Sequence, residues 1–388
     1  MNIFEKDKEY IANTYARNQV EFTSGKGSLM YSAQGKEYID MGSGIAVNSF
    51  GIADEEWLAA VTAQASQLQH TSNLYYTEPC VLLAEELCRR TGMKKVFFAN
   101  SGAEANEGAI KAARAYAHQK YGDSSHSTII TLKGSFHGRT ITTLSATGQD
   151  GYHTVFSPFT EGFVYADPDC PEELEKLASE IPCCAIMLEI IRGEGGVCPV
   201  SQEFIDKVKF LARKYELLII VDEVQTGNGR TGKFYSYMHF GLEPDIVTTA
   251  KGLAGGLPIG AVLLGEKAQF SLSAGMHGST FGGNPVCCAA ALSIIKRLDD
   301  KLMEQVIEKS EYIKARLNKV TAVTEISGLG LMLGIKCNKS NKEIAKYCLD
   351  NGLIVLTAKD KIRLLPALNI PFDLLEKAMD ILCKAIEA

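Results

Sequence analysis

Short apolar runs recur along the middle of the chain, at 96–99, 128–132, 162–166, 184–189, 217–221, 245–249 and 259–264. Between several of them the apolar positions fall three and four apart, most clearly over 103–120, 171–180 and 201–215. Buried strands alternating with amphipathic helices predict an α/β fold, a doubly wound and mostly parallel seven-stranded sheet flanked by helices. Ahead of it, 4–16 predicts a short helix, 20–41 short strands joined by turns, and 55–69 a second helix; Glu78-Pro79 opens another that runs to Thr91. After Pro285 the pattern predicts one long helix to about Lys319, strands within 322–336 and 353–364, and helices over 341–351 and 372–387. The expected organisation is an N-terminal segment (1–55) that joins a smaller α+β domain (291–388), with a large domain (56–290) between them.

The run 217–251 organises the rest. Leu217 to Val221 is apolar and ends on Asp222; Ile246 to Thr249 is apolar and delivers Lys251 two residues later. Open α/β sheets hold their ligands at the carboxyl ends of strands. An acid and an amine at such ends are costly to bury unless they face each other or a ligand. Read alone, they serve equally well as a structural ion pair.

Two glycine-containing stretches bear on phosphate binding. Asn100-Ser101-Gly102-Ala103-Glu104 follows one strand and opens the helix over 103–120. Ser101 with Glu104 three residues on has the form of a capping box, which predicts a helix N-terminus able to take an anion, with Gly102 allowing close approach. Gly227 to Gly232 fits GxGxxG, and with Lys233-Phe234 it nearly fits a Walker A loop, but Phe234 replaces the hydroxyl residue and no helix signal follows. A nucleotide-binding protein using Gly227 to Lys233 is the alternative from a different functional class.

Composition narrows the partners. The chain has 388 residues, 22% of them charged, with a net charge of −6 and no long basic run, which argues against nucleic acid and anionic membranes. No apolar stretch approaches a membrane span, and Met1 to Tyr15 lacks the apolar core of a secretory signal, so a cytoplasmic location is expected. Eleven cysteines without a CxxC, and seven histidines without ligand spacing, predict reduced thiols and no metal site.

Several stretches taken together resemble the class III pyridoxal-phosphate-dependent aminotransferases. They are Gly44 to Asn48, His70 to Pro79, Phe98 to Asn106, Ser135 to Thr140, Gly193 to Val197, Asp222 to Gly232, Ala250 to Gly252, Thr280 to Pro285 and Gly328 to Gly334. The resemblance implies the fold of type I pyridoxal-phosphate enzymes, with pyridoxal 5'-phosphate as cofactor. Lys251 would take the cofactor's aldehyde and carry protons, and Asp222 would pair with its ring nitrogen. Gln225 would face the phenolic oxygen, Phe136 would stack on the ring, and Val224 would line the pocket. Ser101, Gly102 and Ala103 would hold the phosphate, helped by Thr280 of a neighbouring subunit in a homodimer with composite sites.

The same resemblance gives substrate roles to Arg139 (the donor's α-carboxylate), Arg363 (the α-carboxylate of 2-oxoglutarate), Glu194 (neutralising Arg363 while the donor is bound) and Ser279. It implies transfer of the δ-amino group of N2-acetylornithine to 2-oxoglutarate, with ornithine, succinylornithine, succinyldiaminopimelate or 4-aminobutyrate as alternative donors. The chain departs from the family pattern at two places. Phe50-Gly51-Ile52-Ala53-Asp54 stands where the family has a Gly-His-x-His-Pro-like turn, and Glu189-Ile190-Ile191-Arg192-Gly193-Glu194 where it has Glu-Pro-Ile-Gln-Gly-Glu. Arg192 is expected to pair with Glu194 and blunt its action on Arg363.

Overall fold

The computed structural model describes residues 1–388. Its centre is a seven-stranded sheet in the order Lys95–Ala99, Gly260–Leu264, Ile246–Thr249, Leu218–Asp222, Cys183–Leu188, Thr128–Leu132, Phe163–Ala166. Only Gly260–Leu264 runs against its neighbours. Alternation along the strands feeds two cores. Leu218, Ile220 and Ile246 pack with Ala105, Ala109, Ala112 and Ala113, from the face of helix Gly102–Tyr121. Ile219, Val221 and Val247 point the other way into the large core. The alanine face lets the helix lie close to the sheet, which places the helix's N-terminus beside the carboxyl ends of the strands.

The C-terminal third adds an antiparallel sheet in the order Val323–Leu329, Met332–Cys337, Lys361–Leu364, Leu356–Ala358. Arg363 sits on its third strand, opposite Gly334. A further sheet joins the two ends of the chain, because Leu353–Ile354 pairs in parallel with Glu37–Asp40.

The structure departs from the expected elements in three places. The helix expected over 4–16 stops at Tyr10 and buries none of its residues. The single helix expected from 285 to 319 is two, Pro285–Ile295 and Asp300–Leu317. Asp299 breaks it by accepting a hydrogen bond from the Leu302 N–H, a cap that competes with continuing the helix. Thirdly, Ile191–Arg192 pairs with Cys198–Pro199 in a short hairpin that carries Glu194 in its turn.

Candidate active site

Beyond the carboxyl ends of the central strands lies a cavity of about 450 Å³. Ser101, Gly102, Ala103, Phe136, Arg139, Asp222, Val224, Gln225 and Lys251 all line it. Residues far apart in sequence therefore meet, and they do so because Leu218–Asp222 and Ile246–Thr249 are adjacent parallel strands, Asp222 standing opposite Thr248.

Asp222 is buried and fully engaged. Its Oδ2 accepts from Asn106 Nδ2 at 2.7 Å and lies 2.8 Å from His137 Nδ1, while Oδ1 accepts from the Val224 N–H at 3.0 Å. Asn106 is held in turn by Thr248 Oγ1 at 2.7 Å and donates to the His137 carbonyl at 2.7 Å. Three donors keep a carboxylate in place in the interior. Asp222 does not pair with Lys251: the Asp222 carboxylate is taken by His137 and that of Glu194 by Arg363.

Lys251 follows the strand end with φ 48, the left-handed region, a conformation that costs a non-glycine residue about 1–3 kcal/mol. Burial lowers the pKa of its amine, Glu194 and Asp222 oppose the shift, and Arg363 adds to it. The shift favours the neutral amine, the form a nucleophile and proton carrier requires.

Helix Gly102–Tyr121 opens at Ser101, whose Oγ accepts from the Glu104 N–H at 3.2 Å. The expected capping box is half formed. The Glu104 carboxylate accepts from the N–H of Asn100 at 2.6 Å, one residue before the cap. The N–H groups of Gly102 and Ala103 donate to nothing else in the chain, and both residues line the cavity. A Cβ on Gly102 would stand 2.6 Å from Val224 Cγ1, so the backbone here is as close to the opposite wall as glycine permits. Such a helix end holds an anion.

Glu194 and Arg363 lie behind Gln225 rather than on the cavity wall itself. Arg363 Nη1 donates to Glu194 Oε1 at 2.6 Å and to Gln225 Oε1 at 3.1 Å, and Gln225 Nε2 reaches Glu194 Oε1 at 3.4 Å. Burial pushes the Glu194 carboxyl up, but the Arg363 charge and hydrogen bond outweigh it and hold the pKa below the usual range. Gln225 thus bridges the pair to the cavity. Arg192 does not join them. Its Nη1 donates to the Lys133 carbonyl at 3.1 Å, correcting the expectation that it pairs with Glu194. The hairpin separates them: residue 192 lies on its strand and residue 194 in its turn, and their side chains reach different partners, the Lys133 carbonyl and Arg363.

Arg139 is exposed at the mouth, its guanidinium 4.5 Å from the Tyr152 ring centre and 5.4 Å from that of Phe136, with no acid partner. Ser279 and Thr280 are not brought into the cavity. Ser279 Oγ accepts from Asn100 Nδ2 at 3.0 Å, and Thr280 lies exposed in an adjoining hollow beside Phe281. The Gly227 to Gly232 loop is buried and opens no α-helix, which removes it as a nucleotide cradle.

The sequence reading gave no role to His137, Asn106 or Glu189. Glu189 lines the cavity, accepts from the Phe136 N–H at 2.9 Å and the Gly193 N–H at 3.2 Å, and is pushed up to about 7 by burial, against His137 and with Asp222 adding to the rise. A signal existed for Asn106, a polar residue on the alanine face of a helix that points at the sheet.

Comparison with known proteins agrees with this geometry. The family model described as aminotransferase class-III matches residues 10–386. An acetylornithine aminotransferase from Haemophilus ducreyi is 48% identical over 99% of this chain and 98% of its own length. Among solved structures, N-acetylornithine aminotransferase from Stenotrophomonas maltophilia is similar with TM-score 0.86 and 33% identity, over 99% of this chain and 98% of that one. An ornithine aminotransferase from Toxoplasma gondii, reported with partial occupancy of PLP at its active site, has TM-score 0.94 and 30% identity over 99% and 93% of the two chains.

Proposed function

The chain belongs to the class III aminotransferases, and on that premise we propose that it moves the δ-amino group of N2-acetylornithine to 2-oxoglutarate, yielding N-acetylglutamate 5-semialdehyde and glutamate. The observation that carries the donor is the 48% identity to an acetylornithine aminotransferase over essentially the whole of both chains. The likeness to an ornithine aminotransferase rests on shape at 30% identity and ranks second.

The enzyme is a transaminase dependent on pyridoxal 5'-phosphate, and the cavity suits that group. It offers a half-buried amine with no ion-pair partner, a triply held carboxylate, and free N–H groups at a helix start. Bound there, the cofactor supplies an aldehyde carbon that takes the amino group and a ring that withdraws electrons from the reacting carbon. Lys251 Nζ moves a proton off the donor's δ-carbon and returns one during the second half of the cycle. Asp222 holds a negative charge fixed for the ring nitrogen, and His137 and Asn106 keep that carboxylate from turning. The N–H groups of Gly102 and Ala103, with Ser101, would hold the phosphate. Phe136 and Val224 would pack against the ring, and Gln225 would meet its phenolic oxygen.

Arg139 binds the donor's α-carboxylate with its planar guanidinium, braced by Tyr152. Glu194 covers Arg363 in the donor half of the cycle. It turns away when the α-carboxylate of 2-oxoglutarate arrives, since that carboxylate offers Arg363 the same bidentate partner.

We also place this chain in a homodimer. Leu74, Tyr76 and Phe281 are 84%, 98% and 59% exposed, and Asn73 ties their two loops together by donating to the carbonyls of Ser279 and Gly282. An apolar surface of this kind around Thr280 fits burial against a second copy, where Thr280 and Ser279 would serve the partner's phosphate and substrate. As to domains, helix Pro285–Ile295 packs on helices Glu55–Ala65 and Glu78–Thr91, so we set the seam between large and small units after Ile295. No helix is long and apolar enough to cross a membrane, and the eleven cysteines are all free, in keeping with a cytoplasmic setting.

A donor screen with 2-oxoglutarate tests the proposal. N2-acetylornithine is expected to give the highest kcat/KM, above ornithine, succinylornithine and 4-aminobutyrate; a higher value for any of these would replace the assignment.

A further inference from the structure

The glycine-rich stretch Gly227 to Gly232 is buried throughout and has no place in the chemistry described so far. Its polar groups reach in two directions. Toward the central sheet, Asn228 Nδ2 donates to Thr249 Oγ1 at 3.0 Å and to the Ala250 carbonyl at 3.2 Å, the two residues immediately before Lys251. Asn228 has φ 56, in the left-handed region that asparagine tolerates better than most residues, and this turns its amide toward the strand end. Toward the C-terminal sheet, Arg230 Nη1 donates to the carbonyls of Leu331 at 3.1 Å and Pro366 at 2.5 Å. The Leu331 N–H answers by donating to the Arg230 carbonyl at 2.9 Å. Pro366 lies three residues beyond Arg363. At Gly330, with φ 54, a Cβ would fall 2.5 Å from the Thr231 carbonyl carbon, so the two backbones touch with no side chain between them.

Arg230 is enclosed without a carboxylate partner, and burial lowers its pKa to about 9. A buried charge is a poor source of stability, since apolar residues of similar volume often serve as well or better. A fixed donor geometry is what the guanidinium adds.

We infer that this loop is a strut between Lys251 and Arg363, and that Arg230 is a positioning residue which sets Arg363 so that the site reads a keto acid whose carboxylate adjoins its carbonyl. The inference rests on the proposed role of Arg363 in the acceptor half of the reaction. In the donor half Glu194 covers Arg363, and the strut's C-terminal end is not called upon. A shift of Arg363 by about 1 Å is enough to cost on the order of 10²-fold in a reaction that depends on alignment.

The test uses the holoenzyme of wild type, Arg230→Lys and Arg230→Met. The two half-reactions are followed separately by cofactor absorbance, and binding of glutarate, an unreactive dicarboxylate, by calorimetry. Cofactor dissociation is measured alongside. The lysine variant keeps a cation without the guanidinium's planar fork, and serves where the methionine variant does not fold. The expected result is a loss of roughly 10- to 10²-fold in the 2-oxoglutarate half-reaction and in glutarate affinity, with the donor half-reaction and cofactor dissociation within about twofold. Equal losses in both halves, or an unchanged acceptor half in Arg230→Lys, would overturn the inference. A wild-type enzyme that neither binds glutarate nor consumes 2-oxoglutarate would overturn the reading of Arg363 itself, and the strut with it.

Discussion

His137 Nδ1 lies 2.8 Å from Asp222 Oδ2, with both side chains buried. Such a contact is stable when the ring carries its proton on Nδ1, and it fixes the carboxylate that the cavity presents to a ligand. Asp222, His137 and Gln225 are expected to differ in importance for this reason. Breaking a buried charge arrangement costs about 3–5 kcal/mol, a hydrogen bond to a charged group about 1.5–3, and a neutral one about 1. Under saturating cofactor, kcat/KM should fall most in Asp222→Ala, less in His137→Phe, and least in Gln225→Ala. Comparable turnover in Asp222→Ala and Gln225→Ala would contradict the assignment.

The proposed phosphate cradle is tested at Gly102. Its added Cβ would meet Val224 Cγ1 at 2.6 Å, and valine is too stiff at χ1 to turn away cheaply. Gly102→Ala is expected to raise the cofactor dissociation constant by about tenfold, corresponding to ~1.4 kcal/mol, and Val224→Ala in the same chain to restore part of it. Gly151→Ala, where nothing stands within 4 Å, is the control and should change nothing.

Arg192 and Glu194 are separable. Because Arg192 bonds to the Lys133 carbonyl and not to Glu194, Arg192→Gln should leave the preference for terminal-amine over α-amine donors intact, with a loss of stability of about 1 kcal/mol. Glu194→Ala uncovers Arg363 and should shift that preference toward α-amino acids. Competition between N2-acetylornithine and glutamate reads both effects.

Glu189 gives a pH signature. Its folded-state pKa, about 7, lies above the ordinary carboxyl value of 4.5. A raised pKa contributes stability that is fully present below the unfolded value and lost as pH rises through the folded one. Between pH 4.5 and 7 the wild type should therefore lose stability relative to Glu189→Gln, by at most about 1.4 kcal/mol per pH unit. Thermal melts of both proteins across that window check this; parallel curves would refute it.

The strands and most helices were legible because period and composition agree there: Leu218–Asp222 and Ile246–Thr249 are apolar runs ended by polar residues, and Glu78–Thr91 has a proline as its second residue and ends before a glycine. Asp222 and Lys251 stood out because charges at the ends of buried runs are costly. The break at Asp299 and the hairpin around Glu194 were not legible, since each depends on a local capping bond or a two-residue pairing that leaves no periodic trace. Nor were the partners of Asp222, because Asn106 and His137 meet it only after the helix and the sheet are packed. The direction of Arg192 likewise followed from the hairpin and not from its nearness to Glu194 in sequence.

On the proposed function, the amine at 251 is the one that takes the cofactor's aldehyde. Borohydride reduction of the holoenzyme, followed by proteolysis and mass spectrometry, measures this directly. The cofactor's mass is expected on the peptide containing Lys251, and is expected to be lost in Lys251→Ala. Modification of a different lysine in the wild type, or the same labelling in Lys251→Ala, would contradict it.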